Sequence, residues 1–156
     1  MNLPFGEGSG TIAYDNSPYG NNGTIYNGSI QICAGNSTFN ASCPQWTTGK
    51  YGNALQFDGV DDYVNVSAST LLNITDAITI EAWIKMYNSS RGSIVSKDFT
   101  SSTKKGYNFF VDANKLYFDI GNGTATGRAS LTIPLANRKM DLCGWSLEWD
   151  TTIGVY

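Results

Sequence analysis

From Ile78 to Met86 the chain alternates without a slip. Ile78, Ile80, Ala82, Ile84 and Met86 share one parity, and Thr79, Glu81, Trp83 and Lys85 share the other. Successive side chains of an extended strand point to opposite faces, so this run predicts a strand with one face committed to a core. Trp83 falls on the polar parity, where two readings stand: core of a second layer, or exposed. No segment sustains a 3.6-residue apolar period. Short strand-like runs recur instead: Thr11-Ile12-Ala13-Tyr14, Thr24-Ile25-Tyr26, Ala54 to Phe57, Tyr63 to Val66, Tyr107 to Val111 and Leu116 to Ile120. Asp58-Gly59-Val60-Asp61-Asp62 and Asp112-Ala113-Asn114-Lys115 read as hairpin connections between neighbouring runs. Strands at this spacing, without helices between them, predict an all-β chain, an antiparallel two-sheet sandwich or jelly roll.

Composition supports the same reading. Charged residues make up 15% of the 156, aromatic residues 13%, and there are 17 glycines, a mix that suits strands and tight turns better than amphipathic helices. A length of this order holds one domain with a two-layer core, taken here as residues 1–156. The net charge of −3 gives no footprint for nucleic acid or an anionic membrane surface. No apolar run approaches the roughly 20 residues that cross a bilayer as a helix, and Met1-Asn2-Leu3-Pro4-Phe5 does not read as a signal peptide.

Two features place the chain outside the cytoplasm, in an extracellular or cell-surface setting. Asn-x-Ser/Thr sequons begin at Asn22, Asn27, Asn36, Asn40, Asn65, Asn73, Asn88 and Asn122; the alternative is chance in an Asn-, Ser- and Thr-rich sequence. Cys33 and Cys43 stand in a polar, glycine-rich stretch, where a disulfide would staple a surface loop in an oxidising compartment; the alternative is a pair of free thiols. With no histidine in the chain, a Cys/His zinc site is excluded.

The order of several short segments is similar to the laminin G-like family of the concanavalin A-like lectin/glucanase superfamily. They are Gly6-Glu7-Gly8-Ser9-Gly10-Thr11, Asp15-Asn16-Ser17 through Gly20-Asn21-Asn22-Gly23-Thr24, and Gly49-Lys50-Tyr51-Gly52-Asn53-Ala54-Leu55. Phe57-Asp58-Gly59-Val60-Asp61-Asp62-Tyr63-Val64 and Ile78-Thr79-Ile80-Glu81-Ala82-Trp83-Ile84-Lys85 complete the set. The likeness runs over residues 3–137, with 30–45 resembling an insertion. It implies a jelly roll in secreted or surface proteins that serve adhesion, glycan contact or domain spacing, sometimes with calcium in loops at the sandwich rim. The expected partner is a glycan or an extracellular protein surface, and the chain is expected to be a C-terminally truncated domain of a larger multidomain protein.

Residues 138–151 depart from the family pattern. Shifting the reading frame by one base turns the Met140-Asp141 codons into a Trp codon and Trp145 and Trp149 into Gly, which the family pattern accommodates. The stretch is therefore read as a frameshift, which also accounts for the odd thiol of Cys143; resequencing the coding DNA tests it.

The chemistry points to binding. Glucanases of this superfamily flank the glycosidic bond with clustered carboxylates, whereas Glu7, Glu81 and Glu148 are dispersed, so no enzyme is expected; a degenerate glycoside hydrolase-like domain is the weaker alternative. Two oxygen-rich turns are candidates for calcium, Asp15 to Asn22 and the Asp58, Asp61, Asp62 cluster, set against ordinary turn chemistry. Trp46, Tyr19, Tyr51 and Tyr107 lie in or beside loops and are candidates for stacking on a sugar, set against a packing role. The resulting expectation is a carbohydrate-binding or adhesion module, with a structural or protein-interaction spacer as the alternative.

Overall fold

The computed structural model describes residues 1–28, 31–33, 43–74, 76–87, 91–99, 102, 105–132, 141–147 and 153–154, with backbone only at 31–32, 141–147 and 153–154. These residues are nearly all β, and the strand ladders are antiparallel. The sequons at Asn36, Asn40 and Asn88, most of 30–45, and residues 138–140 and 148–151 lie outside the described residues. Two compact units divide the chain, Met1–Leu72 and Asn73–Tyr156.

The first unit holds β1 (Ile12–Ala13), β2 (Gly23–Asn27), β3 (Gln31–Ile32), β4 (Gln45–Thr48), β5 (Asn53–Gln56) and β6 (Asp62–Val66), then a 3-10 turn at Thr70–Leu72. β2 is central. β6 pairs with it from Gly23↔Val66 to Asn27↔Asp62, while its other edge takes β1 at Thr24 and Gly23 and β3 at Tyr26 and Asn27. Ala13 and Ile25 are buried on the inner side with Cys33, which is bridged to Cys43 across a Cα separation of 5.8 Å, as expected. Gly23 is required between them, because a Cβ there would overlap Cγ1 of Val64. On the opposite face Tyr26 and Tyr63 stack with centroids 5.3 Å apart.

The expected hairpin across Asp58–Asp62 is corrected by the pairing. β5 joins β4 in a two-stranded ribbon and β6 joins β2, so this loop crosses between sheets. Asp62 already belongs to β6, and the Asp61 carbonyl accepts the Gly28 N–H from the end of β2, which draws the loop toward β2 instead of back along β5.

The second unit holds β7 (Ile78–Ile84), β8 (Gly92–Lys97), β9 (Lys105–Asp112), β10 (Lys115–Asn122), β11 (Thr126–Thr132), β12 (Asp141–Leu147) and β13 (Ile153–Gly154). β11-β10-β9-β8 form one sheet and β13-β12-β7 another. The expected β9–β10 hairpin is present. Ala113 and Asn114 both have positive φ, 45° and 65°, which fits the right-handed twist of a two-residue primed turn. Ile80 of β7 packs into one core with Tyr107, Phe109, Val111, Leu116, Phe118 and Ala129, and Ile78, Ala82 and Ile84 pack against it. The alternation read from the sequence therefore sets which side of β7 meets the four-stranded sheet. Trp83 lies on the other side, 44% exposed, which decides its open assignment.

The face of the four-stranded sheet away from this core is built around a buried charge. Asp119 accepts from Nε and Nη2 of Arg128 at 2.6 and 2.7 Å, and the Arg128 guanidinium lies over Tyr117, itself stacked on Phe110. The bidentate bond to Asp119 pushes the Arg128 pKa above its ordinary value.

Candidate functional site

The acidic loop between β5 and β6 brings three carboxylates together. One oxygen from each of Asp58, Asp61 and Asp62 lies within 4.8 Å of the others, the one such cluster of metal-ligating side chains among the described residues. Turn chemistry holds them there: the Asp58 N–H donates to Oδ2 of Asp62 at 2.9 Å, and the Val60 N–H donates to Oδ1 of Asp58 at 2.8 Å. Gly59 supplies the positive φ of 80° that the tight loop needs. Gly28 lets the Asp61 carboxylate approach, since a Cβ at Gly28 would stand 2.9 Å from Oδ2.

Asp58 and Asp61 are exposed and Asp62 is half-buried. Burial raises the Asp62 carboxyl above its ordinary value; the Asp58 N–H opposes this, and the Asp58 and Asp61 charges add to it. Its Oδ1 is buried without a hydrogen-bond partner. Crowded carboxylates with an orphaned acceptor fit a hard divalent cation, because calcium takes carboxylate and carbonyl oxygens and has no fixed geometry to satisfy.

The Asp15 turn is different. Oδ1 of Asp15 accepts the N–H groups of Asn2 and Ser17, and Oδ2 accepts the Ser17 hydroxyl and the Asn21 N–H, at 2.7 to 2.9 Å. Asn22 Oδ1 accepts the Asp15 N–H at 2.9 Å. Burial alone would raise the Asp15 carboxyl, but these donors together hold it well below the usual carboxylate range. A cation would have to displace them, so ordinary turn chemistry accounts for these oxygens.

The aromatic candidates separate in the same way. Tyr19 and Tyr51 are exposed. Trp46 is half-buried and donates its Nε1–H to the Gly10 carbonyl at 3.1 Å, which ties β4 to the N-terminal segment. Tyr107 corrects the expectation: it is 7% exposed and belongs to the second unit's core, because the inward parity of β9 is 107, 109, 111. Burial raises its hydroxyl pKa. The Tyr26–Tyr63 stack and the part played by Gly28 were not read from the sequence. Strand parity gives Tyr63 a face, but only the β2–β6 register brings Tyr26 beside it.

Among the glutamates, Glu7 accepts the Tyr14 N–H at 2.8 Å, Glu81 is exposed on the outer side of β7, and Glu148 lies outside the described residues. No helix among the described residues is long and apolar enough to cross a membrane.

No curated protein and no solved structure matches the chain. The laminin G type 3 family model, described as concanavalin A-like lectin/glucanases superfamily, matches residues 58–139, which begin at the acidic loop and span β6 to β11. That match covers more than half of the chain, and with the antiparallel sheets it establishes that the protein belongs to the concanavalin A-like lectin/glucanases superfamily as a laminin G-like chain.

Proposed function

We propose that the chain is a non-catalytic carbohydrate-binding or adhesion module of a secreted or cell-surface protein, working through a calcium ion held by Asp58, Asp61 and Asp62. The observation that carries this reading is the convergence of one oxygen from each of those carboxylates within 4.8 Å, together with the buried Asp62 Oδ1 that has no hydrogen-bond partner. Superfamily membership supports binding of a glycan or of another extracellular protein. The Cys33–Cys43 bridge supports an oxidising, extracellular setting. Bound calcium would offset most of the loop's negative charge and leave coordination positions for sugar hydroxyls. Tyr19 and Tyr51, exposed on turns, are the side chains offered to a sugar's apolar face.

Glycan-array binding of the purified chain tests this, with calcium and then with chelator. Signal present with calcium, abolished by chelator and by Asp61→Asn, and weakened by Tyr19→Ala or Tyr51→Ala supports the module. Absence of glycan signal at every calcium concentration sinks it and leaves the spacer reading.

A further inference from the structure

We propose that Asn65 carries an N-linked glycan whose first sugar packs across the Tyr63 ring, so that the modification secures the β2–β6 pairing. The proposal rests on the extracellular reading above, since sequons are modified only where the glycosylation machinery meets the chain.

Asn65 is the one sequon asparagine with an aromatic residue two positions before it. In β6 that spacing places Tyr63 and Asn65 on the same face, both exposed, while Asp62, Val64 and Val66 are half-buried on the other. Two residues of strand separate same-face side chains by about 7 Å, within reach of a sugar attached at the end of an asparagine. The Tyr63 ring is fixed by its stack on Tyr26, with planes 8° apart, yet it stays 39% exposed. Across the ladder Asn65 faces Thr24, a small side chain that leaves room above the sheet.

The Asn65 amide has no hydrogen-bond partner among the described residues. The other described sequons lack this combination. Asn22 and Asn122 spend their Oδ1 on turn N–H groups, Asn27 is half-buried, and Asn73 follows the 3-10 turn with no aromatic residue two positions before it. A sugar presents C–H groups from its apolar ring face, and an aromatic ring with its negative face exposed is a matching surface.

Formation of the linkage joins Asn65 Nδ2 to the anomeric carbon of an oligosaccharide donated by a polyprenyl phosphate or diphosphate carrier. The anomeric C–O bond to the carrier breaks, the phosphate leaves with the electron pair, and one amide proton is released. No oxidant or reductant enters.

The test is expression of the chain through a eukaryotic secretory pathway, with occupancy of each sequon read by mass spectrometry. Thermal melts then follow on material trimmed to single N-acetylglucosamine stubs. Asn65 is expected to be occupied. Asn65→Gln is expected to lower Tm by about 2–4 °C, the shift for one aromatic contact in a chain of this length. In a Tyr63→Thr background, chosen to keep strand propensity, the same change is expected to shift Tm by less than about 1 °C. Should that background fail to fold, the glycosylated wild-type protein supplies the readout: stub protons shifted upfield by the ring current support the proposal, and unshifted protons overturn it. Equal losses in both backgrounds also overturn the packing. A bare Asn65 beside occupied Asn22, Asn73 or Asn122 overturns the site alone, whereas sequons bare throughout overturn the site together with the extracellular reading.

Discussion

Replacing Asp62 by Asn should change stability in opposite directions with and without calcium. Without a cation, Asp62 stands within 4.8 Å of both Asp58 and Asp61. Two unit charges at that distance repel by about 0.9 kcal/mol in a water-like dielectric, so the variant loses two such terms, trimmed by salt to about 1 kcal/mol in all. The amide oxygen of Asn can still accept the Asp58 N–H that Asp62 accepts at 2.9 Å, so the loop keeps its closure. In chelator, then, Asp62→Asn should melt about 2–4 °C above wild type. Calcium at a hundredfold excess over Kd would add about 2.7 kcal/mol to wild type, a rise of about 5–11 °C, and the variant should gain far less. The two curves cross as calcium is added, read by differential scanning fluorimetry at fixed low salt. A proton gives an independent check. The Asp62 carboxyl is raised in the folded state, so its proton binds more tightly folded than unfolded. The stability it contributes on protonation is complete below the unfolded value of 3.8 and is lost as pH rises through the folded value. The advantage of the variant in chelator should accordingly shrink as pH falls through the folded value and vanish below 3.8. A variant less stable than wild type in chelator would refute the repulsion argument, and a wild-type melt indifferent to calcium would refute the metal reading.

Asp15 works in the opposite sense. Its carboxyl is held below the usual range by four donors that overcome the effect of burial, so its stabilising contribution is present above the unfolded value of 3.8 and lost as pH falls toward the folded one. Melts at pH 6, 4 and 3 should show a steeper acid loss in wild type than in Asp15→Asn; equal slopes would contradict this. At Gly23, substitution by Ala drives a Cβ into Val64 and should cost about 1–3 kcal/mol by urea titration. Adding Val64→Ala should return part of that cost, and strict additivity of the two changes would show that they do not share the contact.

What was legible in the sequence was whatever a local period or a local turn determines. The parity of Ile78 to Ile84 gave the buried side of β7 because a strand has two faces and only one met the core. Ala113-Asn114 was legible as a hairpin because two residues between alternating runs leave the chain little alternative to a primed turn. Asp58-Gly59-Val60-Asp61-Asp62 misled for the converse reason. Its residues specify a turn but not the destination of the strands beside it, and that is decided by β2, more than thirty residues earlier, which takes β6 and leaves β5 to β4. Tyr107 was read as lying in or beside a loop, and the residue before it, Gly106, is of a type that turns also use. The glycine instead meets a close approach of the Lys97 carbonyl with φ of 84°, inside the sheet and not beyond its end. Nothing local distinguishes those two uses of glycine.

The same limit explains why the acidic cluster was legible and the aromatic neighbour was not. Asp58, Asp61 and Asp62 lie within five residues, so any turn there brings their carboxylates together. Tyr26 and Tyr63 are thirty-seven positions apart and meet only through the β2–β6 register. That register rests on Gly23 against Val64: one position of slip would turn Tyr63 and Asn65 to the inner face and place Val64 outside. The outward presentation of the Asn65 sequon is therefore a consequence of packing on the other side of the same sheet. A substitution at Gly23, remote from the sequon in sequence, should disturb whatever occupies Asn65 as well as the core beneath it.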